Sequence, residues 1–114
     1  MQKTTETGQN GELLAKEFLK KKNYLILHTN WRHQHAEIDI IAKDGNMIVF
    51  VEVKTRNNDR FGLPEDFVDD SKIEKMQEAA EAYIDEYNWE GELRFDIISI
   101  EKDNVITHFE DAFY

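Results

Sequence analysis

With 114 residues, 40% of them apolar and 11% aromatic, the chain has the size and core material of one domain, which excludes wholesale disorder despite 33% charged residues. It contains no cysteine, which excludes a disulfide framework, a thiolate zinc site and a cysteine nucleophile. The net charge of −10 is unevenly divided: residues 1–63 carry ten Lys/Arg against eight Asp/Glu, and residues 64–114 carry four against sixteen, so a polyanionic partner must meet the first half.

Residues 1–9 read as a flexible N-terminal tail, and 10–114 as a single domain without internal repeats or linkers. The polar start, Met1 to Gly11, lacks the apolar segment of a secretory signal. No window approaches the roughly 18 apolar residues of a membrane span. The expectation is a cytoplasmic protein with no membrane association. From Asn10 to Lys22 the pattern is helical, with Gly11, Leu14, Ala15, Phe18 and Leu19 on one stripe and Asn10 as N-cap. The basic run Lys20 to Lys22 suits a helix C-terminus, where the macrodipole favours cations.

Tyr24 to Leu27 predicts a short strand, Glu37 to Ala42 a second and Met47 to Thr55 a third. The last two are joined by Lys43-Asp44-Gly45-Asn46, whose Asp-Gly is a strong hairpin signal. Asn57 to Asp70 reads as a polar loop holding the single proline, Pro64. Ser71-Lys72-Ile73-Glu74 has capping-box spacing and opens a helix with the stripe Ile73, Met76, Ala80, Tyr83, Ile84 and Tyr87. Leu93 to Glu101 and Val105 to Phe109 form a final strand pair around Lys102-Asp103-Asn104. The predicted architecture is α/β, a mixed sheet flanked by two helices in the order αβββαββ.

Strand alternation places Val49, Val51 and Val53 on one face and Phe50, Glu52, Lys54 and Arg56 on the other. In the second strand it places Glu37 and Asp39 together, with Ile38 and Ile40 opposite. An aspartate and a glutamate this deep in apolar strands are poor decoration. The hairpin can bring Asp39 beside Glu52, where at 4 Å and an effective dielectric of 20 their repulsion is on the order of 4 kcal/mol. A shared proton, Lys54 or a bound cation must offset it. All-oxygen ligands favour a hard ion, Mg²⁺ or Mn²⁺. The bland alternative is an edge-strand ion pair of Glu52 with Lys54. Glu12 lies within about 20° of Leu19 on the helical wheel. It reads either as a glutamate turned to the sheet or as a first-turn residue paired with Lys16.

Gly8-x-x-Gly11-Glu12-x-x-Ala15, Asn30-Trp31-Arg32, Glu37-Ile38-Asp39-Ile40-Ile41-Ala42 and Phe50-Val51-Glu52-Val53-Lys54-Thr55-Arg56 occur here in order, followed by Lys72, Ala79-Ala80 and Arg94-Phe95-Asp96. This ordered set resembles the YraN-like family of small bacterial proteins over nearly the whole chain. One departure is Ala36, where the family usually has glycine, a change expected to alter a turn and not the chemistry. The resemblance implies the restriction-endonuclease-like, PD-(D/E)xK fold, similar to archaeal Holliday junction resolvases. It implies a catalytic set of Glu12, Asp39, Glu52 and Lys54, with Asp39, Glu52 and Glu12 as metal ligands. The activity it implies is metal-dependent endonuclease cleavage of DNA, branched or recombination intermediates included.

Arg32, Arg56, Arg60 and Lys72 are the expected phosphate contacts, and a homodimer is the expected way to cut both strands. Trp31 reads either as a base-stacking group or as core or rim. His33, His35, Glu37 and Asp39 would line one face if the strand began early; otherwise Arg32 to His35 is a solvated turn. His28 and His108 have no partner visible in sequence. Two rival readings are a non-catalytic nucleic-acid-binding module of the same fold and an acidic protein–protein adaptor.

Overall fold

The computed structural model describes residues 3–55 and 70–113. Helix α1 spans Lys3–Lys21, strands β1, β2 and β3 span Leu25–His33, Ala36–Asp44 and Met47–Thr55, and helix α2 spans Asp70–Tyr87. Strand β4 covers Glu92–Glu101, a 3-10 turn covers Lys102–Asn104, and β5 covers Val105–Phe113. The order αβββαββ is the one the periodicities predict. Among the described residues no helix is long and apolar enough to cross a membrane.

The five strands lie in sequence order in one sheet. Neighbours are antiparallel except β3 and β4, which run parallel. A parallel pair needs a crossover, and α2 lies within the one between them. Each helix buries its stripe on a different face. Ala15 and Leu19 of α1 pack on Ile40, Ala42, Val49, Val51, Ile98 and Ile100. Met76, Ala79, Ala80 and Tyr83 of α2 pack on Ile38, Ile41, Ile48, Phe50 and Ile97. Tyr87, expected on the buried stripe, is 46% exposed and packs at a tilt against Tyr83 and His28 at the rim.

Several boundaries differ from the periodicity. Helix α1 begins at Lys3, not Asn10, so residues 3–9, expected as a flexible tail, are helical. No proline interrupts them, and extending an already docked helix adds one hydrogen bond per residue fixed. Strand β1 runs on from Leu27 to His33, which narrows the expected Arg32–His35 turn to Gln34 and His35. Its alternation is illegible because the strand is irregular, with a register shift between Ile26 and His28 and a positive φ of 52° at Asn30. Strand β5 likewise continues past Phe109 to Phe113, through a register shift opposite Phe95/Ile97 and a positive φ at Asp111. At the β2–β3 hairpin Gly45 supplies the positive φ, 62°, that the two-residue loop requires.

One irregularity positions the site. Ile38 packs in the core beneath α2 and Ile40 in the core beneath α1, so the two do not share a face as strict alternation predicts. The break falls on Asp39. The pairing of β2 with β3 ends at Ile40 opposite Val51, and the strands part beyond it.

Candidate active site

Where β2 and β3 separate, the Val53 N–H loses a strand carbonyl and donates instead to Asp39 Oδ2 at 2.8 Å. The carboxylate thus stands in for the missing ladder bond, which fixes it beside β3. Strict alternation along β3 turns Phe50, Glu52 and Lys54 toward α2, as their spacing predicts. Glu52 is buried, with 2% of its surface exposed. Asp39 and Glu52 line one open cavity of about 370 Å³ between β2, β3 and the start of α2. His35, Glu37, Lys72 and Lys75 share its wall.

The electrostatics are those of crowded acids. Burial, then the Glu52 charge and more weakly that of Glu12, pushes the Asp39 carboxyl up to about 8, against the pull of the Val53 N–H. Two ammonium groups offset Glu52, and both lie on Oε2. Lys54 Nζ stands 3.4 Å away, and Lys72 Nζ arrives from the first turn of α2 in closer contact. Burial alone would lower the Lys72 ammonium, but the hydrogen bond to Glu52 and the charges of Glu52 and Asp39 raise it.

Glu12 stands apart from the cavity. It is half-buried on α1, and its Oε2 accepts a bond of 3.1 Å from Asn30 Nδ2 on β1. Asn30 is the β1 residue between the partners of Ile38 and Ile40, so it faces the break at Asp39. Gly11 lets α1 lie close against the end of β3, since a Cβ there would collide with the Thr55 hydroxyl. The charge of Glu12 reaches Asp39, but among the described residues no three His, Cys, Asp or Glu side chains converge to hold a metal ion. This also covers the combination of His33 and His35 with Glu37 and Asp39. His33 instead lies flat against Trp31, with ring centroids 6.4 Å apart, and Trp31 packs edge-on against Tyr83.

Of the expected phosphate contacts, Lys72 is in the cavity. Arg32 is on the exposed edge strand, 3.5 Å from Glu37. Arg56 and Arg60 lie outside the described residues. Lys75 was not singled out by sequence, although the i, i+3 spacing of Lys72 and Lys75 is a readable signal for one helix face, and His35, read as a metal-face or solvated-turn residue, instead lines the cavity.

A second polar group joins Arg94 and Asp96, quoted above only as part of a motif, to His108, whose partner the sequence does not show. Asp96 on β4 is fully buried and accepts two bonds of 2.8 Å from Arg94, one of 2.6 Å from His108 Nε2 and one of 3.0 Å from the Asp111 N–H. Lys22 Nζ is 2.9 Å from His108 Nδ1. An ammonium can only donate, so Nδ1 accepts and the ring proton is on Nε2, facing Asp96. Arg94 also donates to the Tyr24 hydroxyl, so the cluster ties the end of α1 to β4 and β5. Burial would raise the Asp96 carboxyl, but the bonds from His108, Arg94 and Asp111 hold it below the usual carboxylate range.

The sequence matches the profile of Uncharacterised protein family UPF0102 over residues 11–100. It is 49% identical over 117 residues to the UPF0102 protein of Flavobacterium psychrophilum, covering 100% of this chain and 98% of that one. Identity is 45% to the UPF0102 protein of Christiangramia forsetii over the same shares of the two chains. It is 48% over 109 residues to that of Thermodesulfovibrio yellowstonii, covering 96% of each. The chain therefore belongs to the UPF0102 family, the YraN-like family that its ordered motifs resemble.

Proposed function

We propose that the protein is a Mg²⁺- or Mn²⁺-dependent endonuclease of restriction-endonuclease-like, PD-(D/E)xK architecture that hydrolyses DNA phosphodiester bonds. The observation that carries this reading is the pairing of Asp39 with Glu52 at an open cavity, with Lys72 and Lys75 on its wall. The donor set fits a hard divalent cation. Both groups offer carboxylate oxygens, and their repulsion, which adds to burial in raising Asp39, is what a cation between them relieves. Asp39 and Glu52 would hold the ion, which when bound supplies Lewis acidity to a phosphoryl oxygen. Glu12 orients Asn30 behind Asp39 and adds negative charge on that side. Lys54 fixes Glu52 from its own strand. Lys75 and His35 meet phosphates flanking the reacting one, while the exposed Glu74, Glu78 and Glu81 of α2 keep the polyanion from spreading along the helix.

The likeness of the motifs to Holliday junction resolvases supports branched DNA as the substrate class, cut in the cytoplasm by a homodimer whose two sites take one strand each. Incubation with Mg²⁺ or Mn²⁺ and supercoiled, linear or four-way-junction DNA tests the proposal. The parent should nick DNA, and Glu52→Gln should not, while melting as the parent does and retaining DNA affinity. Parent protein that leaves all three substrates intact overturns the reading. One observation favours a second reading, a non-catalytic nucleic-acid-binding module: no three ligands converge among the described residues. Cation binding by calorimetry without nicking would support it, and an adaptor would bind neither cation nor DNA.

A further inference from the structure

Two ammonium groups touch the same oxygen of Glu52, but they are placed differently with respect to the cavity. Lys54 follows Glu52 on β3 and backs it from its own strand, outside the cavity wall. Lys72 comes from α2, the opposite wall, and faces the opening together with Asp39 and Glu52. Its side chain is 42% exposed, against 32% for Lys54. A phosphodiester entering this cavity therefore meets the Lys72 ammonium before it meets that of Lys54. Lys75, one turn further along α2, extends the same cationic wall.

We propose that Lys72, not the lysine of the Glu-x-Lys pair, is the catalytic ammonium, contacting the non-bridging oxygens of the reacting phosphate, and that Lys54 is a positioning residue for Glu52. The assignment rests on the hydrolase reading above. In that reaction a water oxygen forms a new P–O bond and the P–O bond to one sugar breaks. The water gives up one proton and the leaving oxygen takes one up, so the products are a phosphomonoester and an alcohol. Negative charge grows on the non-bridging oxygens, and an ammonium preorganised against them is worth more there than in the ground state. Glu52 supplies that preorganisation by holding Nζ at the edge of the cavity.

The same contact has a second consequence. While Lys72 rests on Glu52 Oε2, it opposes a cation seeking that carboxylate. Removing it should strengthen cation binding while it weakens cleavage, two effects of opposite sign that loss of structure cannot mimic.

The test compares Lys72→Met, Lys72→Arg, Lys54→Met and Glu52→Gln with the parent, after thermal melting has established that each is folded. Calorimetry with Mn²⁺ alone should show Lys72→Met binding about tenfold tighter than the parent, equivalent to one decade of affinity. Its cleavage of supercoiled or junction DNA should fall about 10²–10³-fold, mainly in kcat, the size of effect seen when one charge-stabilising donor is removed. Lys72→Arg should recover part of the rate and return Mn²⁺ affinity toward the parent. Lys54→Met should lose about tenfold in rate, the lower end of what is expected of a group acting through another. The assignment is overturned if Lys72→Met cuts at the parent rate, if it binds Mn²⁺ more weakly, or if Lys54→Met is the more damaged of the two. An inactive Glu52→Gln beside a fully active Lys72→Met removes Lys72 and leaves the hydrolase reading standing. A parent that cuts no DNA in the presence of Mn²⁺ removes both.

Discussion

Replacing Asp39 with asparagine keeps an acceptor for the Val53 N–H and removes a carboxyl that burial and Glu52 push up to about 8. Because the folded value lies above the unfolded 3.8, the native state holds the proton more tightly than the unfolded chain does. The resulting stability is fully present below pH 3.8 and is lost as pH rises toward 8. Asparagine does not titrate, so its advantage should be near zero at pH 4 and grow through pH 8. At 1.36 kcal/mol per unit the full shift corresponds to an upper bound of about 5–6 kcal/mol. Solvent at the open cavity and the nearby Lys72 reduce the expected gain to about 1–3 kcal/mol, or about 3–6 °C in Tm per kcal/mol for a domain of this size. The assay is paired urea and thermal unfolding of parent and variant, followed by far-UV circular dichroism, at intervals from pH 4 to pH 9. A variant no more stable than the parent at pH 8, or a gain that stays constant with pH, refutes the reasoning. Mn²⁺ should then stabilise the parent and not the variant, because the repulsion it relieves is gone.

Further outcomes follow from the rest of the molecule. Asp96→Ala leaves the partly buried Arg94 with only the exposed Glu110, 3.5 Å away, and removes the acceptor of His108, so it should cost about 1–3 kcal/mol, read as a fall in the urea midpoint with no change of slope. Asp96 is held below 3.8, so its contribution is present above that pH and lost as pH falls through the depressed folded value. Asp96→Asn should accordingly flatten the acid end of the stability profile, and an unchanged acid limb would discount the cluster. Neutralising Z phosphates gives a slope of log affinity against log salt near −0.9Z on duplex DNA. With residues 64–114 at net −12, that slope should be shallow, and salt-independent binding would argue against a nucleic-acid ligand.

Much of this architecture is legible in the sequence because its central elements obey simple periods. Strand β3 is read to its exact ends because Val49, Val51 and Val53 alternate on one face, and α2 is read to within one residue of its start because its stripe recurs every three or four positions. The edge strands are cut short because Asn30 and Asp111 interrupt their alternation with left-handed backbone. The same limit applies at the site. Alternation correctly pairs Glu52 with Lys54, yet it misplaces Ile38 relative to Ile40, because nothing local announces that β2 and β3 part at Asp39. His108 and Asp96 are distant in pattern and meet only through the pairing of β4 with β5, so neither could be assigned a partner from spacing.

The two irregular borders of the sheet bear on how copies of this chain can meet. A smooth outer strand is a template on which another molecule can zip its own backbone, extending one ribbon across both. Here β1 carries a register shift and a left-handed Asn30, and β5 carries a register shift and a left-handed Asp111. Each kink breaks the run of evenly spaced donors and acceptors that such zipping needs. The homodimer proposed above is therefore expected to join through side chains of helices or connecting segments, leaving the outer borders of the sheet bare.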